Sequence, residues 1–131
     1  MEIFNQWLLS AEDDINSSEY LLGGQYYRNA IYLTQQCAEK ALKGFLTFKN
    51  QPIQKTHNLV TLVNMCEKLD ADFDDIKNPA YGLNRLDVQY RYPDGDDLSD
   101  EISQPDESQV KNSIVYAREI LDLVKEKCVV L

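Results

Sequence analysis

The sequence predicts an all-α protein, folded as an up-and-down antiparallel bundle of about five helices. Three observations lead to this prediction. Apolar residues recur at steps of three and four along most of the chain, which is the period of an amphipathic helix. Most breaks between these segments are short and contain Gly, Pro, Asn or Asp. No segment shows the convincing alternation of apolar and polar residues that is typical of a strand.

The first helix is predicted near residues 2–22 and ends at Gly23-Gly24, because paired glycines end a helix at little cost. The second helix is predicted from Gln25 to about Lys49. Within it, Gly44 costs about 1 kcal/mol relative to alanine. We therefore interpret this glycine as a site of close helix packing. The apolar stripe of helix 2 consists of Tyr27, Ala30, Ile31, Thr34, Ala38, Ala41, Leu42 and Phe45.

Helix 3 is predicted to begin at Thr56, a residue type that caps helices well, and to fade after Leu69. Helix 4 is predicted to begin around Asp74 or Asp75, since acids suit a helix N-terminus. Pro79 then lies inside its first turn if the helix starts a little later.

Residues 92–106 hold two prolines and a glycine among many acids, and they are predicted to form an exposed loop. Helix 5 then starts near Asp106 or Glu107. The chain, residues 1–131, is long enough for one domain and too short for two ordinary ones, so we expect a single domain.

Composition excludes several classes of protein. The net charge of −9, from 13 basic and 22 acidic residues, argues against a general nucleic-acid binder. The chain has no apolar run long enough for a membrane span and no secretory signal, so a cytoplasmic protein is expected. Cys37, Cys66 and Cys128 are far apart and are predicted to be buried or idle thiols in a reducing compartment. The acidic clusters fail the calcium-loop pattern, and no metal or cofactor site is predicted.

A polar flank lies beside the apolar stripe of helix 2. Gln36, Glu39, Lys40 and Lys43 occupy positions i, i+3, i+4 and i+7, so they share one side of the helix. One interpretation is a solvated face on which Glu39 pairs with Lys43, a contact worth a few tenths of a kcal/mol. The other is a groove in which the lysines bind an anion. The spacing leaves both interpretations open.

Two further segments contain side chains suited to binding or catalysis. His57 follows the predicted cap Thr56, so it is expected in the first turn of helix 3, beside N–H groups that favour anions. It is either structural or a binding group, and the spacing identifies no partner that would orient it for acid–base catalysis. Arg91 lies between Tyr90 and Tyr92. Its guanidinium either binds a phosphate or base, or pairs with an acid while the tyrosines pack in the core.

Taken in order, these motifs resemble the HEPN domain family (higher eukaryotes and prokaryotes nucleotide-binding). Residues 36–43 are similar to its QxxEKxxK helix, residues 56–59 to its THxL helix start, and residues 91–94 to its RYPD segment. Residues 7–14 and 26–30 also match the early pattern of the family. The resemblance covers almost the whole chain.

The resemblance implies a helical bundle, a homodimer in the cytoplasm, and association with a minimal nucleotidyltransferase protein. Some family members are metal-independent ribonucleases, including toxins of toxin–antitoxin pairs, and others bind nucleotides or serve as partner subunits. The ribonucleases carry an Arg, four to six residues and then a His. Counted back from His57, the arginine positions hold Asn50, Gln51 and Pro52, so the motif is absent and no catalytic residue is assigned.

The resemblance does mark seven polar positions as candidates for binding a nucleotide or another anion. They are Gln36, Glu39, Lys40, Lys43, His57, Arg91 and Tyr92. Three hypotheses follow. The favoured one is a non-catalytic subunit that binds a nucleotide or a nucleotidyltransferase. The second is a ribonuclease with a non-standard site built around His57 and Arg91, with RNA not favoured as a ligand. The third is a purely structural dimerisation module.

Overall fold

The computed structural model describes residues 2–91 and 104–129, and within them it confirms the all-α bundle. No described residue lies in a strand. The predicted loop over 92–106 falls mostly on residues 92–103, outside the described part of the chain. The elements are α1 (Ile3–Gly23), α2 (Tyr27–Phe48), α3 (Leu59–Leu69), a short 3₁₀ helix (Ala71–Ile76), α4 (Lys77–Arg91) and α5 (Glu107–Lys127). None of the described helices is long and apolar enough to cross a membrane.

The central element of the bundle is α2, which packs against α1, α3, α4 and α5. Because it is enclosed on several sides, 13 of its 22 residues are buried, far more than one apolar stripe would require. The core continues into the 3₁₀ helix, where the Phe73 ring lies 4.3 Å from that of Phe45. A tight turn joins α1 to α2, with Gln25 in the left-handed region at φ 65°.

The starts of α5 and α3 differ in how well the sequence predicts them. As predicted, α5 begins at Glu107, and Asp106 forms a capping box with Gln109. The predicted cap of α3, Thr56, is wrong. The cap is Asn58, whose Oδ1 accepts from the Thr61 N–H at 3.1 Å and from Asn84 Nδ2 at 3.0 Å. The cap of α3 is therefore two residues later than predicted, and it is held by a residue of α4.

Helix 4 also begins later than predicted. Asp74 and Asp75 lie in the 3₁₀ helix, and α4 starts at Lys77 with Pro79 in its first turn. The 3₁₀ helix is capped by Asp70, whose carboxylate accepts from the Asp72 N–H at 3.0 Å. This bond, with the neighbouring Lys127, holds the pKa of Asp70 below its usual value. Asp70 thus caps the 3₁₀ helix, and both Asp70 and Asp72 form ion pairs with Lys127.

The three cysteines are free and buried, as predicted. Burial raises the pKa of Cys37 and of Cys66 to about 12, and that of Cys128 to about 11. These thiols are therefore protonated at neutral pH and poorly reactive.

Candidate functional site

An exposed histidine held by a buried carboxylate forms the centre of the candidate site. The His57 side chain is 76% exposed, whereas that of Glu39 is 7% exposed. Nδ1 of His57 lies 3.0 Å from Oε2 and 3.1 Å from Oε1 of Glu39. Because the carboxylate accepts, Nδ1 carries the proton and Nε2 is left accessible for a ligand. The sequence did not identify this orienting partner.

The position of His57 corrects its predicted environment. Residue 57 precedes α3, which begins at Leu59, so the imidazole is not in the first turn of the helix. Two of the three first-turn N–H groups already have side-chain partners, since Leu59 N–H donates to Asn84 Oδ1 and Thr61 N–H to Asn58 Oδ1. These two groups are therefore not free to bind an anion beside His57.

The charge of Glu39 is compensated from within its own helix. Lys43 Nζ lies 2.9 Å from Glu39 Oε2, which confirms the predicted i,i+4 pair. The pair is buried, however, with Lys43 9% and Glu39 7% exposed at their side chains. The prediction of a solvated face is therefore wrong for these two residues, because the segment of residues 51–57 lies over them on the way from α2 to α3.

A third buried polar residue of α2 holds the same segment, and the sequence analysis missed it. Gln35 is 3% exposed, and its Nε2 donates to the backbone carbonyl of His57 at 3.2 Å. Gln35, Glu39 and Lys43 are spaced by four residues, so they form one row along α2. The signal available in the sequence was this spacing of polar residues inside a helix whose neighbouring positions are apolar.

The other polar positions of α2 do not join this cluster. Lys40 Nζ pairs with Asp14 Oδ2 on α1 at 2.7 Å, so it ties two helices together. Gln36 is half-buried, and its side chain makes no hydrogen bond with another described residue. Of the four residues predicted to share a flank, the structure therefore brings only Glu39 and Lys43 to His57.

The third predicted segment is only partly described. Tyr92 and the side chain of Arg91 lie outside the described residues. Their neighbour Tyr90 is buried, and its hydroxyl donates to Gln109 Oε1 at 2.9 Å. From α2, Arg28 donates to the Tyr90 carbonyl at 2.8 Å and to Gln104 Oε1 at 3.1 Å. Arg28 thus forms hydrogen bonds with a residue that precedes the segment 92–103 and with one that follows it.

Residues 2–91 and 104–129 contain no group of three His, Cys, Asp or Glu side chains arranged to hold a metal ion. At His57, the contact with Glu39 provides an oriented imidazole. When protonated, such a ring donates one hydrogen bond to Glu39 and a second to a ligand. When neutral, it offers Nε2 as a base.

Comparison with known proteins agrees with this fold. The sequence model described as the HEPN domain matches residues 4–127. The chain is similar to the crystal structure of ST0689, an archaeal HEPN homologue, with 28% identity and a TM-score of 0.75 over 98% of this chain and 100% of that one. It is also similar to the crystal structure of TT1696 from Thermus thermophilus, with 25% identity and a TM-score of 0.77 over 97% of this chain and 99% of that one. No curated protein matches the chain.

Proposed function

The chain belongs to the HEPN domain family, and from this premise we propose that it is a non-catalytic binding subunit. In this proposal it is a cytoplasmic homodimer that binds a nucleotide through His57 and associates with a minimal nucleotidyltransferase protein. Family membership supports the dimer and the nucleotidyltransferase partner. The free, buried thiols are consistent with a reducing compartment.

The observation that carries the nucleotide-binding part is the fixed orientation of an exposed imidazole. Long or exposed side chains lose conformational freedom when they bind, and this loss weakens binding. Glu39 holds the ring of His57, and Gln35 holds its backbone carbonyl. Both supporting side chains are buried, so the imidazole is already oriented before a ligand arrives.

When His57 is protonated, the local charge favours an anion although the chain carries −9 overall. Lys43 compensates Glu39, so a protonated His57 gives the cluster of three side chains a net positive charge. Lys55 precedes His57 by two residues, is exposed, and makes no ion pair with a described residue. A phosphate oxygen accepting from His57 Nε2 would form a charge-assisted hydrogen bond.

Removing the imidazole is expected to weaken nucleotide binding. Isothermal titration of the purified protein with ATP, GTP and a short RNA at low salt compares the wild type with His57→Ala. Loss of one hydrogen bond between charged groups corresponds to binding weaker by about tenfold or more. Lys111→Ala is the control, because Lys111 is an exposed lysine on α5 that pairs with Glu107 at 3.1 Å.

Two results would contradict this proposal. One is a wild type that binds none of the three ligands. The other is a folded His57→Ala protein that binds as tightly as the wild type. Circular dichroism and a denaturant titration confirm the fold of each variant, and little change is expected because the side chain of His57 is 76% exposed.

A second candidate function, a metal-independent ribonuclease, is favoured by the Glu39–His57 pair alone. A carboxylate that orients a histidine is the support that a general base requires. The Arg-to-His motif of the ribonuclease branch is absent, and the Arg91 side chain lies outside the described residues. Incubation with labelled RNA in EDTA tests this function. We expect no cleavage, whereas cleavage that disappears in both His57→Ala and Glu39→Gln would establish the enzyme in place of the binding subunit.

A further inference from the structure

The outer face of α4 contains a ridge with a groove on each side. A groove of about 730 Å³ separates α4 from the start of α3, and one of about 350 Å³ separates α4 from α5. Tyr81 and Arg85 line both grooves, so they form the ridge between them. Val88 continues the ridge one turn later and lines the larger groove.

The ridge exposes apolar surface that the described part of the chain does not cover. Tyr81 is 63% exposed and Val88 is 69% exposed. With Arg85 they follow the spacing i, i+4 and i+7, so they lie along one side of the helix. Aromatic residues, arginine and exposed aliphatic residues in one patch are typical of a protein interface.

The charge of this face differs from that of the rest of the molecule. The chain has 22 acidic residues among 131, yet no Asp or Glu is among the described residues that line the two grooves. Arg85 is their one charged residue, and it makes no ion pair with another described residue. Most of the remaining lining residues carry neutral polar side chains, among them Asn84 and Gln89.

These features distinguish between possible occupants. A nucleic acid would require several cations to neutralise its phosphates, and this face offers one. Two copies of a chain with a charge of −9 repel each other over most of their surfaces. They can approach closely where neither copy presents a carboxylate. A ridge with a groove beside it also suits a two-fold axis, which pairs identical patches and so brings the ridge of each copy to the groove of the other when the two match in size.

We infer that the outer face of α4, centred on Tyr81, Arg85 and Val88, is the surface through which a second copy of this chain binds. The inference rests on the homodimer that belongs to the proposed function, and it names the surface used. It is independent of ligand binding at His57, which is part of the α2–α3 connection and does not line either groove.

The test introduces a second cation into the face and into a matched position elsewhere. Val88→Lys lies on the ridge one turn from Arg85, and Val115→Lys is the control, because Val115 is an exposed helical valine (52%) that lines neither groove. Light scattering after size-exclusion chromatography, over a wide range of protein concentration, measures the mass. We expect about 30 kDa for the wild type and for Val115→Lys, twice the 15.1 kDa of the chain. For Val88→Lys we expect a dimer dissociation constant at least about tenfold higher, because the change adds a cation beside Arg85 where the described lining of neither copy offers a carboxylate.

A wild type that stays monomeric would overturn the inference. So would a Val88→Lys dimer as stable as that of Val115→Lys. A second pair, Tyr81→Lys and its exposed control Tyr20→Lys, repeats the measurement if Val88→Lys does not fold. The titrations with ATP and GTP are run on the same proteins. A dimer that Val88→Lys does not weaken contradicts this inference alone. A monomeric wild type that binds nucleotide contradicts the homodimer as well but not the binding at His57, and a dimeric wild type that binds no nucleotide contradicts only that binding.

Discussion

Replacing Lys43 by methionine is expected to lower the free energy of unfolding by about 3 kcal/mol. The methionine fills the space of the lysine stem but leaves the buried Glu39 carboxylate without its cation. Glu39 is 7% exposed at its side chain, so water cannot replace the lost partner, and His57 compensates only when it is protonated. Denaturant unfolding measures the change as a lower midpoint with an unchanged slope.

The chain supplies a matched control for this prediction. Glu107 and Lys111 on α5 have the same i,i+4 spacing and a similar distance of 3.1 Å, but their side chains are 60% and 62% exposed. Lys111→Met should therefore cost less than about 0.5 kcal/mol. The double variant Glu39→Gln with Lys43→Met should recover much of the loss, since no buried charge is then left unpaired. Equal costs for Lys43→Met and Lys111→Met would show that burial of the Glu39–Lys43 pair has no energetic consequence.

The buried Glu39–Lys43 pair shows what helical spacing can and cannot predict. The i,i+4 relation of Glu39 and Lys43 is a property of the helix and could be predicted from the sequence. Whether the pair is solvated depends on what lies over it. That is the segment of residues 51–57, which has no periodicity of its own, and its path over α2 follows from tertiary contacts. The contact of Glu39 with His57, 18 residues away, could not be predicted for the same reason.

The helix boundaries follow the same rule. The end of α1 and the start of α5 agree with the sequence because Gly23-Gly24 and the capping box at Asp106 are local signals. The start of α3 does not agree, because Asn84 on α4 binds Asn58 and determines which residue caps the helix. The ion pair of Lys40 could not be predicted for the same reason, because its partner Asp14 lies on another helix, α1.

Gly44→Leu is expected to lower the free energy of unfolding by about 3 kcal/mol, through overpacking where α1 crosses α2. A Cβ at residue 44 would lie 3.1 Å from the Trp7 Cβ and 3.3 Å from Leu8 Cδ2. The Trp7 Cβ is fixed to the backbone of α1, so it cannot move away without moving the helix. The predicted role of Gly44 in close helix packing is thus confirmed, and a leucine adds three further carbons where there is no room. Thermal or denaturant unfolding measures the loss.

Gly23→Leu is the control that separates packing from the loss of a glycine. A Cβ at residue 23 would meet nothing within 4 Å, and no glycine of the described chain has a positive φ. The change should therefore stay within about 0.5 kcal/mol of the wild type. Gly44→Ala should fall between the two, because about 1 kcal/mol of gained helix propensity offsets a contact that requires a shift of a few tenths of an ångström. If Gly44→Leu cost no more than Gly23→Leu, α1 and α2 would have to be farther apart than the 3.1 Å contact allows. The row of Gln35, Glu39 and Lys43 lies on the same α2 backbone as Gly44. If Gly44→Leu lowered the free energy of unfolding strongly and the folded protein still bound nucleotide at His57, the packing against α1 and the site on the α2–α3 connection would be energetically separable.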